Sequence, residues 1–256
     1  MTQFSIIIPA YNNLPLLRRA LDSVLRQQGV EMEVIVSDDS TNSGIADYVS
    51  TLGDPRLHYH HHDKADSAIA NWNSGLAKAS GSHLILMHHD EAMATPDYLA
   101  TLQRLFDNGA DIVVSNIEVV VGDKTKPSHF TTAMKRFILR HPSLLFLANA
   151  IGPCACIAFR RQLAEPFCEQ LHWLVDVEWY YRLLKNHHVS YAPQLTIRSI
   201  HGHEGQITQS LDIRSTFEAD RRIVLHRHPG HPVRLTLWLY KALILNTKQL
   251  LKTLVP

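Results

Sequence analysis

Long apolar runs are missing from this 256-residue chain: nothing approaches the roughly 18 consecutive apolar residues that a membrane-spanning helix needs. The run Phe4–Ile8 that follows Met1 is too short, and too poorly flanked, to read as a secretory signal, so a cytoplasmic chain is expected. Cysteine is scarce. Three residues cannot make a disulfide framework, which points to a reducing compartment. Cys154 and Cys156 are two apart, so on a strand they share a face. They read as buried thiols rather than zinc ligands, because no second Cys/His pair has finger spacing. No Gly-x-Gly-x-x-Gly or Walker pattern follows the first apolar run, which disfavours a dinucleotide or P-loop site. The 17 histidines contain no His-Glu-x-x-His, against a metal-dependent hydrolase, and His58 with His60–His62 reads as a solvated loop. There is no internal repeat, and no module that would read nucleic acid. Acidic residues also stop: none follows Asp220. The last 36 residues carry a charge of +7 and the preceding 220 a net −6.

What is present alternates in period. Phe4–Ile8, Glu33–Ser37, Leu84–Met87 and Asp111–Ser115 are short, β-branched or apolar runs of the kind buried in a parallel sheet, and Leu57–His61 is a further short candidate. Leu14, Leu17, Leu21, Val24 and Leu25 recur at helical spacing, as do Ile69, Trp72, Leu76 and Ala79 within 65–79. Thr95-Pro96 reads as the cap and first position of a helix to about Asn108. In the second half, Gly152–Phe159 reads as a strand, Asp176–Leu184 as a helix, and Val189–Ile200 as strand and loop. The β-α-β-α order predicts an α/β fold: a mostly parallel, Rossmann-like sheet with helices on both faces, followed by a helical tail.

Function in such a sheet sits at the carboxyl ends of the strands. Three of those ends are polar: Pro9-Ala10-Tyr11-Asn12, Asp38-Asp39-Ser40-Thr41, and His88-His89-Asp90-Glu91. Tyr11 offers a ring that can stack on a base, or simply pack. Asp38 and Asp39 can accept from a base or ribose, or close an Asx-turn. Asp90 and Glu91 are hard oxygen ligands for a divalent cation at a diphosphate.

These pieces, in this order and spacing, resemble the family 2 glycosyltransferases of the GT-A fold over roughly residues 4–205: FSIIIPAYN, EVIVSDDST, NSGLAKASG (73–81), the His88–Glu91 stretch and DVEWYYRLL (176–184). The resemblance implies inverting transfer of a sugar from a nucleoside diphosphate to a hydroxyl. It implies nucleotide contact by Pro9, Ala10, Tyr11, Asn12, Asp38, Asp39, Asn73 and Asp90, with UDP the first candidate. The alternative for Asn73 is a structural hydrogen bond. Mg2+ or Mn2+ is expected on Asp90 and Glu91. His88 stands where the family has its first aspartate: either it is no ligand, or the site prefers Mn2+, or affinity is reduced. His203 is a further candidate ligand, with a plain loop role as the alternative. Asp176 falls on the family's catalytic base, and helix capping is compatible with that role. Val175 replaces the acidic residue that often precedes it. The Gln-x-x-Arg-Trp motif of processive members is absent, so addition of one sugar is expected, in polysaccharide or glycolipid synthesis, onto a saccharide or lipid-linked acceptor. The competing expectation is a non-catalytic relative that binds nucleotide or sugar.

Residues 1–115 are expected to form the nucleotide-sugar half, 116–210 the acceptor half, and 211–256 the tail. Glu178 and Arg182 read as a surface helix pair. Arg234, Lys241 and Lys248 recur every seventh residue among many leucines, with Lys252 following. Such a segment either lies on an anionic membrane surface through residues 221–256, making the chain peripheral on the inner face, or packs on the body as a helix.

Overall fold

The structure is a computed structural model and describes residues 2–62, 67–203 and 212–245. The chain divides into two compact units, neither of them continuous in sequence. The first comprises 1–129, 151–167 and 186–204, and the second 130–150, 168–185 and 205–256. A boundary at 115 would cut through a strand.

The first unit holds one nine-stranded sheet. Strand β1 (Phe4–Ala10) is buried along its whole length, as its β-branched run requires. It lies between β2 (Met32–Asp38) and β4 (His83–Leu86), with β3 (Leu57–His61) beyond β2, and all four run parallel. Helices α1 (Leu14–Leu25), α2 (Gly44–Leu52) and α3 (Ala68–Ala77) provide the crossovers. Asn13 caps α1, its side chain accepting from the Leu16 N–H at 3.2 Å. Ser67 does the same for α3 at 3.1 Å from Ala70. Residues 65 and 66, where the sequence starts that helix, lie outside the described residues.

Beyond β4 the sheet becomes mixed. It continues through β8 (Ile157–Arg160), β6 (Ile112–Val121), β9 (Val189–Ile200) and β5 (Glu91–Met93), with β7 (Lys124–Pro127) hairpinned onto β6. Only β6 and β9 pair parallel in this half. The pairing of β9 with β6 jumps from Ser115↔Ala192 to Asn116↔Thr196. Pro193 lies in that gap; it has no N–H to give the ladder, so the strand bulges there. Cys154–Cys156 form a 3-10 turn rather than a strand, and the strand begins at Ile157; all three cysteines are buried thiols. His58–His61 lie on β3, not in a loop.

Helix α4 runs Tyr98–Asp107, two residues later than the Thr95 cap implies. The reason is Gln27: its amide donates to the Thr95 carbonyl at 2.7 Å and its oxygen accepts from the Leu99 N–H at 3.1 Å, doing the capping from α1's side.

Gly81 enters β4 against the backbone of β1. Its N–H donates to Ser5 Oγ at 2.8 Å, and a Cβ there would stand 2.7 Å from both Phe4 C and Ser5 N. Backbone cannot step aside as a side chain can. Gly81→Ala is therefore expected to lower unfolding stability by about 1–3 kcal/mol, measured by denaturant titration, and an unchanged midpoint would contradict this packing.

The second unit is helical: α5 (Thr132–Arg140), a 3-10 turn Pro142–Phe146, α6 (Val175–Leu184), α7 (Ile213–Arg227), α8 (His231–Leu239) and a π-helical turn Tyr240–Leu245. The described part of the tail, 212–245, packs within this unit. Phe217, Val224, Val233 and Leu237 are buried, and Glu218 pairs with Arg221 at 3.1 Å and Lys241 at 2.8 Å. Lys248 and Lys252 lie outside the described residues. No helix among the described residues is long and apolar enough to cross a membrane.

Candidate active site

The carboxyl ends of β2, β1 and β4 are neighbours because the strands are parallel and adjacent. Pro9 explains how the edge opens. The Ile7 carbonyl accepts from Met87 on the β4 side, so Pro9, two residues on, faces the same way, past the last β4 partner. No ladder donor is needed there. The Pro9 carbonyl instead takes the His89 Nδ1 at 3.3 Å, tying the 88–91 segment to β1. Burial holds the His89 imidazole below the usual histidine range, so it serves as a neutral donor.

On the other side β1 is fastened to β2. Asn12, at φ +47°, donates its N–H to Ser40 Oγ at 2.8 Å and accepts from the Thr41 N–H at 2.9 Å and the Asn42 amide at 3.0 Å. Tyr11 beside it is 55% exposed at the tip of the strand.

The two aspartates after β2 are not equivalent. Asp38 is buried and saturated. It accepts from the Ser40 N–H at 2.9 Å, which closes an Asx-turn, from the Ser40 hydroxyl, and from the Tyr59 hydroxyl at 2.8 Å. Asp39 has a buried Oδ1 with no hydrogen-bond partner among the described residues. Burial, with the Asp38 charge behind it, pushes its carboxyl up to about 6. A buried carboxylate oxygen lacking a donor costs free energy, which a ligand N–H or O–H would relieve.

The 88–91 segment also separates into roles. Glu91 begins β5 and is buried. It accepts from the His88 N–H at 2.8 Å and faces His88 Nδ1 at 3.2 Å. Burial raises its carboxyl despite His88. The His88 ring in turn meets Trp72 edge-on, centroids 4.7 Å apart. Asp90 faces His203, whose Nε2 lies 3.2 Å from Oδ2. Asn73 on α3 clasps the Phe167 backbone, donating to its carbonyl at 3.1 Å and accepting from its N–H at 2.7 Å. His62, which the histidine cluster suggested would sit in a solvated loop, has Nε2 3.1 Å from both Ser37 Oγ and Ser74 Oγ.

In the second unit Asp176 is half-buried in the first turn of α6 and does not cap it; Leu174 holds the cap position. Capping comes from α7. The buried Asp220 accepts from the N–H groups of His172, Trp173 and Leu174 at 3.0, 2.7 and 2.8 Å. Glu178 is not a surface residue. It is fully buried and meets Arg182 at 3.0 Å, Arg227 at 3.2 Å and His228 at 2.8 Å.

The family model described as glycosyl transferase family 2 matches residues 5–167. The chain is similar to the GalNAc(5)-diNAcBac-PP-undecaprenol beta-1,3-glucosyltransferase of Campylobacter jejuni, 29% identical over 45% of this chain and 38% of that protein. It spans between 35% and 66% of the length of three other curated relatives. In fold it is similar to S. aureus TarS 1-349 in complex with UDP-GlcNAc, with TM-score 0.66 and 19% identity over 87% of this chain and 65% of that one. It is also similar to the mannosyltransferase PcManGT from Pyrobaculum calidifontis in complex with GDP-Man and Mn2+, with TM-score 0.61 and 16% identity over 92% of this chain and 68% of that one. The likeness is one of fold, the GT-A fold that the strand order and spacing imply.

Proposed function

The chain belongs to glycosyl transferase family 2, and on that premise we propose that it moves a single sugar from a nucleoside-diphosphate sugar to a hydroxyl of a saccharide or lipid-linked acceptor, with inversion. The observation that carries the donor side is Asp39. Its buried oxygen has no hydrogen-bond partner among the described residues, and its N–H donates to the carbonyl of Ala10 at 3.1 Å, one residue before the exposed Tyr11, where β1 and β2 end. A ring to stack a base and a carboxylate to accept its N–H, or a ribose hydroxyl, make a nucleoside subsite. Asp38 and Asn12 support that subsite by holding the segment after β2, while Asn73 holds the Phe167 backbone. The TarS complex with UDP-GlcNAc makes UDP the first candidate, and the PcManGT complex with GDP-Man keeps GDP the second.

Among the described residues no group of three or more His, Cys, Asp or Glu side chains gathers to hold a metal, so a divalent cation at the diphosphate would rest on two protein ligands, with phosphate oxygens and water completing its shell. Asp90 offers a hard oxygen and His203 an imidazole 3.2 Å away, a pair better suited to Mn2+ than to Mg2+. Glu91, engaged with His88 inside the unit, holds the segment in shape. Bound there, the cation would neutralise charge developing on the departing diphosphate. Asp176 takes the proton of the acceptor hydroxyl. The acceptor oxygen forms its bond to the anomeric carbon as the bond to the diphosphate breaks, and the electron pair leaves with the nucleotide. An acceptor carried on a polyprenyl diphosphate is suggested by the undecaprenol-linked substrate in the Campylobacter jejuni relative's name.

Ionised Asp39 accepts from the nucleoside; protonated Asp39 cannot do so with both oxygens. UDP affinity, followed by calorimetry, should therefore weaken as pH falls through about 6. Asp39→Asn should bind about ten- to a hundredfold more weakly at neutral pH, the worth of a charge-assisted hydrogen bond, and should lose this part of the pH dependence. The difference between the two proteins cancels the nucleotide's own titration. Matching affinities and profiles would remove Asp39 from the subsite.

A further inference from the structure

The second unit has an inverted surface. A helix at a protein surface normally turns its polar face outward. Helix α8 buries Val233, Thr236 and Leu237, yet it turns outward Leu235 and Trp238, the latter 61% exposed, with Arg234 beside them. Leu243 in the following π-helical turn is 60% exposed. Helix α5 repeats the pattern, with Met134 and Phe137 exposed next to Arg136 and Arg140. Both helices pack against the same 3-10 turn, Pro142–Phe146. Five of the seven large apolar side chains exposed among the described residues fall on these elements, a concentration that scattered surface residues do not produce.

Charge selects the occupant. Neither α5 nor α8 contains a carboxylate. Three of the tail's other cations are already matched inside the unit, Arg221 and Lys241 by Glu218 and Arg227 by Glu178. Arg136, Arg140 and Arg234 form no ion pair among the described residues. Exposed Trp, Phe and Leu interleaved with arginine, and no acidic residue, are what an anionic lipid surface takes up. The rings enter the headgroup boundary and the guanidinium groups meet phosphates.

We propose that the second unit docks on an anionic bilayer surface through α8, with α5 as the flanking contact. Apolar insertion carries the docking and three arginines select the lipid, rather than the +7 of the tail as a whole. The proposed function gives this docking its use, reach to a lipid-linked acceptor, but docking is measured without donor or acceptor, so the two readings can fail separately.

The test is sedimentation of the full chain with phosphatidylcholine vesicles and with vesicles containing phosphatidylglycerol. Binding to the anionic vesicles is expected, weakened by salt and much weaker on neutral ones. Leu235→Ser with Trp238→Ser should reduce it at least tenfold with the melting temperature kept, because both side chains are exposed. Arg136→Gln, Arg140→Gln and Arg234→Gln together should remove the preference for anionic lipid, and they decide the matter if the serine variant folds poorly. No binding to either vesicle, equal binding to both without a salt effect, or undiminished binding by the variants overturns the proposal. So does a concentration-dependent dimer that the serine variant abolishes while vesicle binding is absent, since the face would then belong to a second copy.

Discussion

Asp176→Asn is expected to lower the transfer rate by a factor of roughly 10²–10⁴, the usual worth of a positioned general base, while leaving UDP affinity at the wild-type value. The substitution keeps the size of the side chain and removes its capacity to take a proton. Its geometry is secured from elsewhere. The turn that bears Asp176 is fixed by Asp220 through three backbone N–H groups, and the cap position itself carries only Leu174. The substitution leaves those three bonds in place. Donor consumption followed by release of nucleoside diphosphate, with a melting curve beside it, separates a loss of chemistry from a loss of folding. A variant that transfers at the wild-type rate would show that another group takes the proton.

Glu178→Ala is expected to cost about 3–5 kcal/mol of unfolding free energy, the consequence of removing one partner from a buried ionic cluster. Glu178 is fully buried in α6, and Arg182, Arg227 and His228 converge on it, the last two from the end of α7 and just past it. Burial works to raise its carboxyl. The hydrogen bond from His228 and the charges of Arg182 and Arg227 outweigh burial and hold it below the ordinary range. A carboxyl depressed in the folded state contributes stability that is present above its unfolded value, 4.5, and lost as pH falls through the folded value. Wild type should thus lose stability on acidification below about 4.5, and Glu178→Gln should lose less over that interval. Urea titrations across the acid range measure this. Parallel losses in the two proteins would contradict the cluster's role.

These two residues also show how far sequence reading reaches. Asp176 is expected to be the base because DVEWYYRLL follows the other motifs in the family's order, and the structure places it in the first turn of α6. Glu178, in the same nonapeptide, was misread. An i,i+4 spacing to Arg182 looks like a solvated pair, and the residues that bury it are 49 and 50 positions away. The strands β1, β2 and β4 were legible because burial on both faces demands continuous apolar runs. The start of β8 was not, since Gly152–Cys156 is as apolar as a strand but turns. Glu91 shows the same limit. It closes the polar stretch His88–Glu91, and its burial at the start of β5, paired antiparallel with β9, has no signal in the sequence. The distinction between Asp38 and Asp39 depends on Tyr59 and Ser40 reaching one and not the other, a matter of side-chain reach that two adjacent aspartates cannot signal. In the tail, heptad spacing was compatible with both a packed helix and a membrane helix. Packing has claimed one face of α8, and its outward face remains apolar.

On the proposed function, the edge that carries Tyr11, Asp39 and Asp90 receives a nucleoside diphosphate. The most direct measurement is a thermal-shift titration of the full chain with UDP, GDP and dTDP, each with Mn2+, Mg2+ or chelator. A bound ligand raises the melting temperature by mass action. The account predicts a shift with one of the diphosphates, larger with Mn2+ than with Mg2+, and reduced in both Asp39→Asn and Asp90→Ala. No shift with any diphosphate under any metal condition, or a shift that both variants leave unchanged, would contradict it.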